Sequence, residues 1–237
     1  IQDGAGNNTS LSLSDDVAQV QAQNDNTTGT MLVKNKGGSN ILAVDTTNSK
    51  VLVGASQVAT NTFYINYGIS DTSTGSFAAD THYAIPVPSG GIVSGLITLG
   101  SSTSSSFNDT NPATTLTIAT TAQNMPAYFW YVIDDITIDA VRWFHGADAA
   151  TGDTTAAHLM SYAVDIDNGS TSGDLSGGTV VADGANITNA GYEQAYYQAM
   201  TIQSADVNAG RVILFTFAAD TVNSDYSINA TIKYHIT

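Results

Sequence analysis

The last twelve residues alternate strictly: Tyr226, Ile228, Ala230, Ile232, Tyr234 and Ile236 are apolar or aromatic, and the residues between them are Ser227, Asn229, Thr231, Lys233 and His235. Successive side chains of a strand point to opposite faces, so this pattern specifies a strand buried on one side and wetted on the other. Phe63, Ile65 and Tyr67 repeat it against Thr62, Tyr64 and Asn66, and Tyr83, Ile85 and Val87 alternate likewise around Pro86 and Pro88. Further strands are expected over residues 95–99, 114–120, 127–133, 136–144, 158–166, 179–182, 193–202 and 211–218, separated by clusters of Gly, Asn, Asp, Ser and Thr. With no helical pattern between them, residues 61–237 are expected to form an all-β antiparallel β-sandwich or jelly roll.

Composition points the same way. Of the 21 acidic residues 20 are Asp and one is Glu193, and Lys occurs only at positions 34, 36, 50 and 233. Asp favours turns and caps, whereas Glu and Lys are the usual filling of surface helices, so little helix is expected. Charged residues make up 11% of the chain, against roughly 25% in ordinary globular proteins, which implies a neutral-polar surface of Ser, Thr and Asn. The absence of Cys excludes disulfide scaffolds, thiol catalysis and Cys-ligated metal centres. Six scattered Lys and Arg against a net charge of −15 argue against nucleic acid as a partner. Apolar runs stay far below the roughly 20 residues of a membrane helix, so no membrane partner is expected. Because the chain opens on Ile1 rather than Met, a preceding segment is expected to have been removed or to lie outside this sequence.

Residues 1–60 differ in character. Polar clusters at 7–10 and 24–29 bracket a short amphipathic stretch, 17–23, and read as an extended arm. Met31-Leu32-Val33, Ile41-Leu42-Ala43-Val44 and Val51-Leu52-Val53 then form apolar pieces between turn clusters, the mark of a small β-meander. So small a ribbon buries too little surface to stand alone, and is expected to pack on the rest of the chain or on copies of itself.

Chemistry-bearing patterns are sparse. His82, His145, His158 and His235 lack metal-motif spacing and read as ordinary strand or loop histidines. Gly54-Ala55-Ser56 is the nearest approach to a nucleophile elbow and lacks the closing Gly. Asp134, Asp135, Asp139, Asp165, Asp167 and Glu193 are candidate carboxylates for glycoside hydrolysis, which needs a pair about 5–9.5 Å apart. Most are expected to be turn residues. Asp165-Ile166-Asp167-Asn168-Gly169 with Asp174 resembles a calcium loop in composition but fails EF-hand spacing, and reads as a hairpin loop. No catalytic, cofactor-binding or metal-binding residue, and no cofactor, is therefore assigned. The aromatics carry more: Tyr128-Phe129-Trp130-Tyr131 places rings on both faces of one expected strand, and Tyr192, Tyr196 and Tyr197 cluster in another. A strand apolar on both sides is buried on both. Either the chain's own loops cover the second face or, the favoured reading, another subunit does.

Residues 41–54, Ile-Leu-Ala-Val-Asp-Thr-Thr-Asn-Ser-Lys-Val-Leu-Val-Gly, resemble the strand–turn–strand unit that precedes or decorates the shafts of phage fibres, with Leu52 and Val53 departing from its usual ending. Residues 141–148, Val-Arg-Trp-Phe-His-Gly-Ala-Asp, with 222–227 and Ile232-Lys233-Tyr234-His235, are similar to the C-terminal β-domain of structural proteins from marine and cyanobacterial tailed phages. The resemblance implies a homotrimeric, non-enzymatic protein of the virion exterior. It would be a capsid decoration (cement) protein or, alternatively, a receptor-binding fibre; a polysaccharide depolymerase is the third reading. Its partners would then be further copies of itself, the major capsid protein or another virion protein met through the N-terminal arm, and, for a fibre, a host surface glycan.

Overall fold

The structure is a computed structural model that describes residues 11–13, 16, 18–21, 28–54, 57–58, 62–70, 79, 81–87, 97–98, 112, 114–117, 125–148, 150–165, 174–220 and 225–237. The chain divides into two compact units, Ile1–Thr62 and Phe63–Thr237. Among the described residues secondary structure is strand apart from one 3-10 turn, Met125–Tyr128, and every strand pair with a described register is antiparallel.

In the first unit, β1 (Leu11–Leu13) pairs with β2 (Ala18–Val20), so the described part of the arm is a short hairpin. β3 (Met31–Lys34), β4 (Asn40–Asp45), β5 (Lys50–Val53) and β6 (Gln57–Val58) form a meander one strand longer than expected. Its turns follow from local chemistry. Gly38 takes the left-handed conformation, φ 86°, in the β3–β4 turn. In the β4–β5 turn the Asp45 carboxylate accepts hydrogen bonds from the Asn48 backbone N–H (3.0 Å) and from Asn48 Nδ2 (2.8 Å). The Asn48 side chain, more than any other neighbour, holds the Asp45 carboxyl below its ordinary range.

The second unit contains β7 (Thr62–Ile69), β8 (Tyr83–Ile85), β9 (Ile97–Thr98), β10 (Leu116–Thr117), β11 (Trp130–Tyr131), β12 (Ile136–Asp148), β13 (Thr154–Asp165), β14 (Asp174–Asp183), β15 (Ile187–Thr188), β16 (Gln194–Ala199), β17 (Thr201–Ile202), β18 (Asp206–Val207), β19 (Arg211–Ala219) and β20 (Asp225–Ile236). One sheet runs β10-β14-β13-β19-β8-β9, with β11, β15 and β17 paired alongside; the other runs β16-β12-β20-β7, with β18 on β12. Their facing sides enclose one core. The second sheet contributes Tyr67, Val141, Trp143, Ile228 and Ile232, and the first contributes Ile85, Leu159, Ile213, Phe215 and Phe217. Tyr67 joins the two layers directly, its hydroxyl donating to the Ile213 carbonyl at 2.8 Å, and burial pushes its pKa well above the usual value. The expected β-sandwich is what forms.

Strand ends depart from expectation where one chain segment serves two sheets. Residues 193–202 break at Met200: β16 pairs with β12, β17 crosses to β14, and Met200 is buried at the corner with its N–H on the Val141 carbonyl. β12 extends to Asp148 because Ala147 continues the inward series, and a bulge between Ile138 and Ala140 lets its long pairing with β20 absorb one extra residue.

The aromatic run at 128–131 needs correction. Only Trp130–Tyr131 is strand; Pro126 lies within the Met125–Tyr128 turn, where its fixed φ suits the first residues of a 3-10 segment. The strand buried on both faces is β19. Its Ile213, Phe215 and Phe217 face the main core, while Val212 and Leu214 join Met160, Tyr162 and Leu175 in a second cluster. Tyr128 and Phe129 lie in that second cluster, so residues of this same chain pack on the far face of β19.

Candidate functional site

The inward row of β12 carries an unexpected polar member. His145, between the buried Trp143 and Ala147, is 1% exposed, and its ring meets Trp143, Tyr196, Phe217 and Tyr226 with centroids 5.1–6.0 Å away. Its Nε2 lies 3.3 Å from Asn189 Oδ1. Asn189 Nδ2 donates to the Asp153 carbonyl (2.9 Å) and to the Tyr226 hydroxyl (3.2 Å), and that hydroxyl donates to Asp153 Oδ2 at 2.5 Å. Asp153 Oδ1 in turn accepts the Asp220 N–H (3.2 Å), and Asp220 Oδ1 accepts the Thr154 N–H (2.8 Å). The network joins the β12–β13 turn, the end of β15, the end of β19 and the start of β20.

Electrostatics follow from burial and from the paired acids. Desolvation, and after it the hydrogen bond shared with Asp153, hold the Asp220 carboxyl above its ordinary 3.8. Burial lowers the His145 pKa against the smaller opposing pulls of Asn189 and Asp153, which keeps the ring neutral at neutral pH. Asp153, Asn189, Tyr226 and His145 are each 1% exposed. Groups so enclosed cannot meet a substrate in this conformation; their chemistry is to staple four segments together.

A stability difference follows. A carboxyl whose pKa is raised by folding stabilises fully below its unfolded value and loses that contribution as pH rises through the folded value. Asp220→Asn keeps the acceptor for Thr154 and supplies an N–H to Asp153 without a charge. The variant is expected to show a higher urea midpoint than the parent at neutral pH, and a vanishing difference below pH 3.8. Urea titrations across that range check this; a variant less stable at neutral pH would overturn it.

Among the described residues, Asp139 and Glu193 are held far apart. Asp139 Oδ1 accepts from His235 Nδ1 at 3.0 Å. Glu193 precedes Gln194, the residue opposite Ala147, eight residues further along β12. At ~3.3 Å per residue that places it about 26 Å from Asp139, well outside the hydrolytic range. Asp135 spends its carboxylate on the Ala209 N–H (2.7 Å), tying the segment before β12 to the turn before β19. Asp134 is exposed and Asp165 ends β13, while Asp167, Asn168, Gly169 and Ser56 lie outside the described residues. The remaining histidines pair up: His82 and His158 meet edge to face at 5.2 Å, and His158 Nε2 lies 3.3 Å from Asp183 Oδ1. Among the described residues no group of three or more His, Asp or Glu is placed to hold a metal ion, and no helix is long and apolar enough to cross a membrane.

The outward face of the second sheet holds what the sequence reading missed. Register places Tyr197, Phe144 and Asn229 side by side across β16, β12 and β20, with Gly146 opposite Ser227 one row on. Phe144 and Tyr197 stack at 4.7 Å with planes tilted 43°, yet remain 48% and 56% exposed. Phe144, and not Tyr197, also lines an open groove of about 380 Å³ with Gly68, Ile69, Gly146, Ser227 and Asn229. The signal available was the exposed Phe of residues 141–148, an apolar side chain at an outward position. It points nowhere until the neighbouring strands are known.

No protein-family model matches the chain, and no curated protein matches it.

Proposed function

We propose that this protein is a non-enzymatic structural component of a virion exterior, a homotrimeric decoration (cement) protein. In this reading residues 1–60 dock it to the capsid and to sister copies, and the sandwich is displayed outward. The observation that carries the reading is the surface of the meander. Register puts Met31 beside Val44 and Val51, and Val33 beside Leu42 and Val53, so six aliphatic side chains share one face. Met31, Val33 and Val53 are 42–45% exposed there, and Leu32 and Ile41 are 41% and 50% exposed on the opposite face. A sheet this small that exposes aliphatics on both faces is an assembly surface rather than a finished fold.

Charge supports it. Residues 28–58 contain Lys34, Lys36 and Lys50 and a single acid, Asp45, in a chain of net charge −15. Copies repelled by their acidic bodies can therefore approach through the meander. Val33→Asp and Val53→Asp are expected to convert a trimeric mass into a monomeric one in light scattering after gel filtration, leaving the near-ultraviolet circular dichroism of the sandwich unchanged. A monomeric parent protein would defeat the proposal, and a count of copies per particle separates a head protein from a tail one. The aromatic groove on the sandwich favours the second reading, a receptor-binding fibre.

A further inference from the structure

The outward face of β12, β16, β20 and β7 is small or polar around Ser227, Asn229, Thr231, Gly146 and Gly68, with the cations Arg142 and Lys233 in neighbouring rows and Tyr64 exposed on β7. Phe144 and Tyr197 interrupt its β12–β16 side as a stacked pair, and leaving two rings about half in water has an energetic cost. The two glycines shape what lies next to them. A Cβ on Gly146 would sit 2.8 Å from Ser227 Oγ, and one on Gly68 3.2 Å from the Ile228 carbonyl. With neither present, the strip beside Phe144 sinks into the open 380 Å³ groove. The Ser227 hydroxyl and the Asn229 amide line it, offering both donors and acceptors.

We propose that this groove binds a neutral glycan, with the apolar C–H face of a pyranose on Phe144, whose ring Tyr197 backs from β16, and its hydroxyls on Ser227 and Asn229. A ring wall beside a hydroxyl and an amide matches a ligand that is apolar on one face and hydroxylated at its edge. Charge at the Gly146–Ser227 end favours a neutral ligand. The groove shares Gly146 and Ser227 with a wider depression of about 750 Å³ edged by Asp148, Glu193 and Asp225. Those carboxylates repel uronic or sialic acids and accept from neutral hydroxyls. A protein partner fits less well. Standard interfaces bury about 1,600 Å² around an apolar centre, and here the exposed apolar part is the Phe144–Tyr197 pair and a separate Tyr64, set among glycine, serine and asparagine.

The site lies wholly in the second unit and stands independently of assembly through the meander, so the meander variants described above should bind unchanged. The test is saturation-transfer NMR and calorimetry on the full chain with cello-, malto- and galacto-oligosaccharides, and with oligogalacturonate as the anionic arm. At least one neutral series is expected to bind and oligogalacturonate is not. Phe144→Ala and Tyr197→Ala should each weaken binding about tenfold or more, at an unchanged thermal midpoint. Gly146→Val should do the same by filling the groove, and since it lies in a strand its folding is checked by the same midpoint. No neutral binding in the parent, preference for oligogalacturonate, or affinity indifferent to both ring deletions overturns the proposal. So does dissociation of the assembled protein by Phe144→Ala, which would make this face a subunit contact.

Discussion

Ile232→Asp is expected to abolish the cooperative unfolding transition of the sandwich at neutral pH. Ile232 is 0% exposed, opposite Val141 on β12 and inside the core shared by both sheets. Removing it loses the transfer energy of a buried aliphatic and leaves a cavity, about 2–5 kcal/mol for large-to-small changes. The carboxylate adds a buried charge with no partner, or several kcal/mol to protonate it. A loss on that scale consumes most of the roughly 5–15 kcal/mol that hold a domain folded. Thr231→Asp, one residue away, supplies the contrast. Thr231 is opposite Arg142 on the outward face, so a carboxylate there gains a cross-strand cation and should change stability by less than about 0.5 kcal/mol. Denaturant titration followed by tryptophan fluorescence distinguishes the two. Equal sensitivity at both positions would mean that the outward face is covered.

Trp143→Ala should cost about 3–5 kcal/mol, the range for a fully enclosed large aromatic. Trp143 is 1% exposed and lies 6.0 Å from Phe217 and 5.1 Å from His145, so its loss removes both the core volume and one wall of the His145 site. Trp143→Phe should cost far less than ring volume alone implies. The buried indole Nε1 has no hydrogen-bond partner among the described residues, and replacing an unsatisfied donor by carbon recovers its desolvation cost. The expected order of urea midpoints is parent, then Phe closely below, then Ala far below. A Phe variant as damaged as Ala would show that the indole nitrogen is satisfied after all, by a bound water or by residues outside those described.

How far the chain could be read in advance varies by element. β20 was legible residue by residue, because burial there follows the alternation of its side chains from Tyr226 to Ile232. β15 and β18 were not: each is two residues long and exists only as an addition to β13 or β12. The turn at Met125–Tyr128 was masked by its own aromatics, which look like strand by propensity while Pro126 suits a turn. β19 reads as one apolar run, and an apolar run marks burial without naming the cover. Here Ala127, Tyr128 and Phe129 of the same chain lie in the cluster against it.

The sites were less legible still. Asp153 and Asp220 stand 67 positions apart, and His145 and Asn189 44 apart, with no motif linking them. Phe144, Tyr197, Asn229 and Gly68 come from four strands and become neighbours only through register. Composition and alternation settled the class of fold and the wet side of each long strand, because both are properties of a few consecutive side chains in water. Which strands lie together, and hence which acids meet and which rings border a groove, was decided by tertiary packing. That choice depends on the summed burial of two sheets against loop-closure entropy, and no local stretch of chain contains that sum.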